Sequence, residues 1–186
     1  QPKFRMRRIA KSTFCTFLFL ILWVNLSAQN GNVVEYRDLS YEDAKAGQID
    51  SLRMLNLVLP KSGNDYPLLI WIGGGAWSYV DRNQEMAIAR QLAEEGIAVA
   101  SIGHRLSPAT WVNPALNTGI QHPQHIIDLA DAVKWLYEKA AQYGYSRQKL
   151  FIGGYSSGAH LAALICMDHS YLEAKGLSAD IFKGVI

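Results

Sequence analysis

Leu150-Phe151-Ile152-Gly153-Gly154-Tyr155-Ser156-Ser157-Gly158 is the stretch on which the architecture turns. Leu150–Gly154 reads as a strand, and Ser157 to Met167 behind it reads as a helix. A strand that passes into a helix over so few residues holds the central one in a cramped backbone conformation. Only glycine two positions to either side, here Gly154 and Gly158, avoids collision. The turn lifts the Ser156 hydroxyl above the sheet and sets it at a helix N-terminus, where free N–H groups favour developing negative charge.

Reading outward, Pro67–Ile72 and Ile97–Ile102 are continuous apolar runs, the mark of strands buried on both faces. Leu52 to Leu59 alternates, with Leu52, Met54 and Leu57 among polar neighbours, and predicts a half-buried strand that Pro60 ends. Lys61–Asp65 is turn chemistry. Glu85–Glu95 predicts a helix stopped by Gly96, and His104–Gln121 a long loop. His122–Tyr143 predicts an amphipathic helix with Ile126, Leu129, Val133, Leu136 and Tyr137 on one face. Phe182–Ile186 opens a further strand. Buried strands alternating with helices imply an α/β domain, a mostly parallel sheet with helices on both faces. The last strand has no later element to cover it, so residues 29–186 are expected to be the N-terminal part of a larger domain, truncated at the C-terminus and inactive alone.

A second constellation, Trp71-Ile72-Gly73-Gly74-Gly75-Ala76-Trp77, ends an earlier buried strand. Three glycines let the backbone approach a ligand and turn its N–H groups inward, as acyl transfer requires at an oxyanion. A phosphate-binding loop would need a following Gly-Lys-Ser/Thr or a G-x-G-x-x-G pattern, and neither is present.

Together these motifs resemble the α/β-hydrolase superfamily, and more narrowly secreted carboxylesterases of the hormone-sensitive-lipase and bacterial feruloyl-esterase-like group. The resemblance runs from Leu52 to Ile186. It rests on Trp71–Trp77, His104-Arg105-Leu106-Ser107-Pro108, His122-Pro123 with Asp128 and Trp135, and Leu150–Ala163. It implies a three-layer fold in which Ser156 is the nucleophile and the N–H groups of Gly75, Ala76 and Ser157 form the oxyanion hole, with Gly74 shaping the turn. Gly73 stands where that family has histidine, and Tyr155 where histidine is frequent before the nucleophile. The family places its catalytic acid and histidine well downstream of the serine. His160, Asp168, His169 and Asp180 follow Ser156 too closely and are assigned to solvent or helix packing, so both partners are expected outside this chain. The expected reaction is cleavage of a small carboxylic ester through an acyl-enzyme, with no metal or organic cofactor. An arylformamidase or peptidase of the same fold stays open, as does a non-catalytic binding protein on a hydrolase scaffold.

Length and composition agree. The 186 residues, 49% hydrophobic and 18% charged, suit one packed domain. The net charge of +2 misleads, because residues 1–28 carry five basic side chains and no acidic one, and the remainder is net −3. No basic patch remains for a nucleic acid. The basic stretch Arg5–Arg8, the apolar run Phe14–Val24 and the small pair Ser27-Ala28 predict a signal peptide cleaved after Ala28, and hence export to the periplasm or beyond. Met6 is a candidate start. The apolar run is shorter than the ~20 residues a spanning helix needs, so no stable membrane anchor is expected. Cleavage would leave Cys166 alone, a small buried hydrophobe without a disulfide partner. His122 and His125 have helix spacing for metal ligands, but no third ligand is evident.

Overall fold

The computed structural model describes residues 32–42 and 49–186, so the expected leader, residues 1–28, lies outside the described residues. Strands β1 (Val33–Ser40), β2 (Met54–Pro60), β3 (Tyr66–Ile72), β4 (Ala98–Ile102), β5 (Tyr145–Gly154) and β6 (Phe182–Val185) form one sheet in the order β1-β2-β4-β3-β5-β6. β2 pairs antiparallel with β1 and β4, whereas β3, β4, β5 and β6 are mutually parallel. The helices are α1 (Met86–Glu94), α2 (Gln124–Tyr143), α3 (Ser157–Met167) and the short α4 (Ser170–Glu173).

Strand side chains alternate between two cores, which makes the fold three-layered. Leu68, Ile70 and Ile72 of β3 pack with Ile126, Leu129, Val133 and Leu136 of α2 and with Leu161 and Ile165 of α3. Leu69 points the other way, into a smaller cluster with Val58, Val99 and the α1 residues Met86, Ala89 and Ala93. β4, in the middle, is buried along its whole length. The chain runs from β3 through α1 to β4, then back across β3 through α2 to β5. This reversal of winding direction puts a crevice at the carboxyl ends of β3 and β5, where α/β sheets bind ligands.

Four elements differ from the sequence reading. β2 is buried at five consecutive positions, Leu55–Leu59, because β1 and β4 flank it and the layers cover both faces. Its one polar interior residue, Asn56, is satisfied by accepting from the Asp38 N–H (2.9 Å) and donating to Asn83 Oδ1 (3.0 Å). β5 starts at Tyr145 rather than Leu150; its register shifts between its first and later β3 partners, and Arg147–Lys149 face solvent. α2 starts at Gln124, since a proline at 123 disfavours helical geometry at His122. β1, which no hydrophobic pattern in the sequence marks, forms the sheet edge.

The long loop after β4 is moored by one buried carboxylate. Asp128 of α2 is fully buried and accepts from Arg105 Nη2 at 2.6 Å, Nε at 2.9 Å and the backbone N–H at 3.1 Å; Arg53 Nε lies 3.1 Å away. Removing one partner of a buried pair leaves a desolvated charge, so Asp128→Ala is expected to cost about 3–5 kcal/mol, read as a lowered urea midpoint.

Candidate active site

β3 and β5 are hydrogen-bonded neighbours in a register that pairs Ile72 with Gly154. The loops that leave them therefore emerge side by side. At the end of β5, the Tyr155 N–H donates to the Ile72 carbonyl (3.1 Å), and the chain turns at Ser156 with φ 53° and ψ −117°. That is a strained conformation for a residue with a Cβ. Ser156 is solvent-exposed and stands as the N-cap of α3.

The two flanking glycines are sterically required. A Cβ on Gly158 would sit 2.1 Å from the Ile72 carbonyl oxygen, and one on Gly154 would sit 2.6 Å from the Gly158 carbonyl carbon. Gly74 is required for a different reason. Its Cβ would fall 2.6 Å from the Tyr155 ring and 3.2 Å from Ser156 Cβ, so the backbone after β3 lies directly against the serine.

From Gly75 the loop runs through three consecutive positive-φ residues: Gly75 (141°), Ala76 (49°) and Trp77 (59°). The Ser78 and Tyr79 N–H groups both return to the Gly75 carbonyl at 2.9 Å, closing the turn. Ser107 N–H donates to the Trp77 carbonyl (2.9 Å) and the Ser78 hydroxyl to the Pro108 carbonyl (3.3 Å), which ties the turn to the long loop. Among the described residues, the N–H groups of Gly75, Ala76 and Ser157 donate to no acceptor. These amides are free to donate to a ligand, and Gly74 brings the loop that carries two of them next to the serine. The left-handed geometry at Ala76 and Trp77 had no signal in the sequence, since both are residues that usually avoid it.

The BD-FAE family model matches residues 55–180. The chain belongs to the BD-FAE family. Its relatives include Esterase LipQ of Mycobacterium tuberculosis, 36% identical over 107 residues (56% of this chain, 23% of LipQ). Esterase LipC of the same organism is 30% identical over 133 residues, covering 70% of this chain and 29% of LipC. Among solved structures, esterase B from Lactobacillus rhamnosis aligns with a TM-score of 0.66 at 26% identity, over 91% of this chain and 55% of that one. A carbohydrate esterase from gut microbiota, in truncated form, aligns at 0.60 and 27% identity, over 77% and 47%. The chain thus spans about a quarter of these curated relatives and about half of the solved structures. An α/β-hydrolase fold is shared throughout.

In this BD-FAE domain no side chain of the downstream candidates is hydrogen-bonded to the serine. His160 is exposed on α3, with its ring edge-on to Trp77 (centroids 5.4 Å apart). Asp168 accepts from the Ser170 N–H and hydroxyl, which hold its carboxyl below the usual range, and Asp180 accepts from the Ser178 hydroxyl. The His160 backbone N–H donates to the Ser156 carbonyl (3.1 Å), but among the described residues no histidine or carboxylate side chain is hydrogen-bonded to the Ser156 hydroxyl. Cys166 is half-buried on α3, and burial pushes its thiol up.

His104, from the long loop, and His125, from the start of α2, are buried together. His104 and His125 stack edge to face (5.5 Å), His125 Nε2 lies 2.9 Å from the Ser107 hydroxyl, and His104 Nδ1 lies 2.7 Å from the Arg105 carbonyl. Burial lowers both imidazoles, His125 to about 4. Together with Trp77, His160 and Leu164, His125 lines a cavity of about 520 Å³.

Two predictions follow from these environments. In the unfolded chain a histidine binds its proton near pH 6.5, whereas folded His125 resists until about 4. The unfolded state therefore holds more protons between those values. Stability should be complete above pH 6.5 and fall on acidification from 6.5 towards 4, with a shallower fall in His125→Gln, read from urea midpoints across that range. At the turn, Ser156→Gly should raise stability by about 1 kcal/mol by releasing backbone strain, whereas Gly158→Ala should lower it by about 3 kcal/mol or more; thermal melts of both variants check the pair.

Proposed function

We propose that the protein to which this domain belongs is a serine hydrolase that cleaves carboxylic esters through an acyl-enzyme on Ser156. One observation carries the reading: an exposed serine in a strained strand-to-helix turn, with the Gly74 backbone against its Cβ and unengaged N–H groups at Gly75, Ala76 and Ser157 beside it. The names of its relatives, esterases and carboxylic ester hydrolases, support the same chemistry.

The Ser156 hydroxyl attacks the ester carbonyl carbon as a histidine takes its proton. We place that histidine, and the acid that orients it, in the portion of the relatives' length that this chain does not span. The carbonyl electron pair moves onto oxygen, and the amides of Gly75, Ala76 and Ser157 hold the resulting oxyanion. The carbon–oxygen bond to the alcohol breaks, and the alcohol leaves with the proton from the histidine. Water then adds to the acyl-enzyme by the same route and releases the acid. The substrate we propose is a small neutral ester, met after export of the protein by the leader in residues 1–28.

The test uses the full-length protein, p-nitrophenyl acetate, an aryl formamide and a fluorophosphonate probe. Ester turnover and covalent labelling are expected, with Ser156→Ala losing both by at least about 10³-fold. Equal labelling of Ser156→Ala would overturn the nucleophile assignment, and a clear preference for the formamide would overturn the ester assignment.

A further inference from the structure

Glu85 occupies an unusual place. It is the N-cap residue of α1, yet its carboxylate makes no capping bond to that helix. It reaches across to β3 instead, where Oε2 accepts from Trp71 Nε1 at 2.9 Å. The other carboxylate oxygen lies over Gly73: a Cβ built there would meet Glu85 Oε1 at 3.0 Å and its Cδ and Cγ at 3.5 Å, and these are its three nearest neighbours. Gly73 also meets the start of α3, because its carbonyl oxygen lies 2.6 Å from where a Gly158 Cβ would be. Gly73 thus touches both the carboxylate and the start of α3. The Glu85 end of this contact has a firm footing. Met86 is rooted in the α1 core, the Ser101 hydroxyl donates to the Arg82 carbonyl (2.9 Å), and Asn83 accepts from the buried Asn56.

We infer that Glu85 is a positioning residue for the proposed reaction: held by Trp71, it clamps Gly73 against the turn and so sets the separation between Ser156 and the Gly74–Ala76 backbone. The inference rests on the reading of Ser156 as nucleophile. It follows that the carboxylate acts through shape and one accepted hydrogen bond, and that its charge is incidental. An ångström of slack between donors and nucleophile is expensive in rate and cheap in ground-state binding.

The experiment measures kcat and KM of the full-length enzyme on p-nitrophenyl acetate, with amide exchange at Ser78 and Tyr79, whose N–H groups close the turn on the Gly75 carbonyl, as a second readout. Glu85→Ala should lower kcat about 10- to 100-fold with KM within about threefold, and should speed exchange at Ser78 and Tyr79. Glu85→Gln, which keeps shape and acceptor, should stay within about threefold of the parent. Gly73→Ala leaves α1 intact but displaces the carboxylate, so it should also lower kcat. Combining it with Glu85→Ala lets the new methyl fill the vacated space, and the double variant should exceed both single variants. Additive losses, or Glu85→Gln falling as far as Glu85→Ala, would overturn the inference. Turnover that survives in Ser156→Ala would sink the hydrolase reading instead, and exchange at Ser78 and Tyr79 would still decide whether Glu85 clamps the loop.

Discussion

The site depends on one close approach, that of the first turn of α3 to the last carbonyl of β3. The Gly158 α-carbon comes so near the Ile72 oxygen that a methyl group there would stand 2.1 Å from it. Any side chain at 158 would push the helix away from the sheet, and with it the residue that caps the helix. The contact fixes where Ser156 stands relative to β3, hence relative to the loop β3 feeds. Everything proposed for the site presupposes that spacing, because a backbone donor gains most when it is held in place before charge develops.

Strain and support are divided between the two sides of the crevice. On one side Ser156 carries the unfavourable backbone angles and is locked by close-packed glycines, with no side-chain bond of its own. On the other, three successive positive-φ residues at 75–77 carry the strain, and they are held from outside by Ser107 and Pro108 of the long loop. That loop is fastened in turn through Arg105 to the buried Asp128 of α2. Strain of this kind persists where surrounding structure over-determines it. The chain of contacts from α2 to Trp77 supplies that surrounding structure in a segment without regular secondary structure.

Much of this was legible in the sequence, because the signals were local. Apolar runs at Pro67–Ile72 and Ile97–Ile102 located two central strands, and glycines spaced about Ser156 located the turn. What escaped was non-local. β1 has too many polar and exposed positions to stand out, and it exists because the β2 edge was open to pair with it. Leu55–Leu59 reads as half-buried until β1 and β4 are known to flank it. Ala76 and Trp77 adopt left-handed angles because Gly75, the Ser78 and Tyr79 amides and the long loop together require it. Neither residue type announces that.

The fold also contains a serine–histidine hydrogen bond, Ser107 with His125, and the contrast with Ser156 is instructive. Ser107 belongs to a loop whose amide is spent on the Trp77 carbonyl, and no strained turn presents its hydroxyl. His125 is buried and stacked on a second imidazole, and burial lowers its basicity to about 4. The same burial makes the pair a sound structural element, since a neutral imidazole can accept from or donate to the hydroxyl without carrying charge into the interior. Proximity of the two residue types is therefore not what singles out the proposed nucleophile. The mark is a forced backbone conformation beside amides with no other partner, and among the described serines Ser156 alone combines the two.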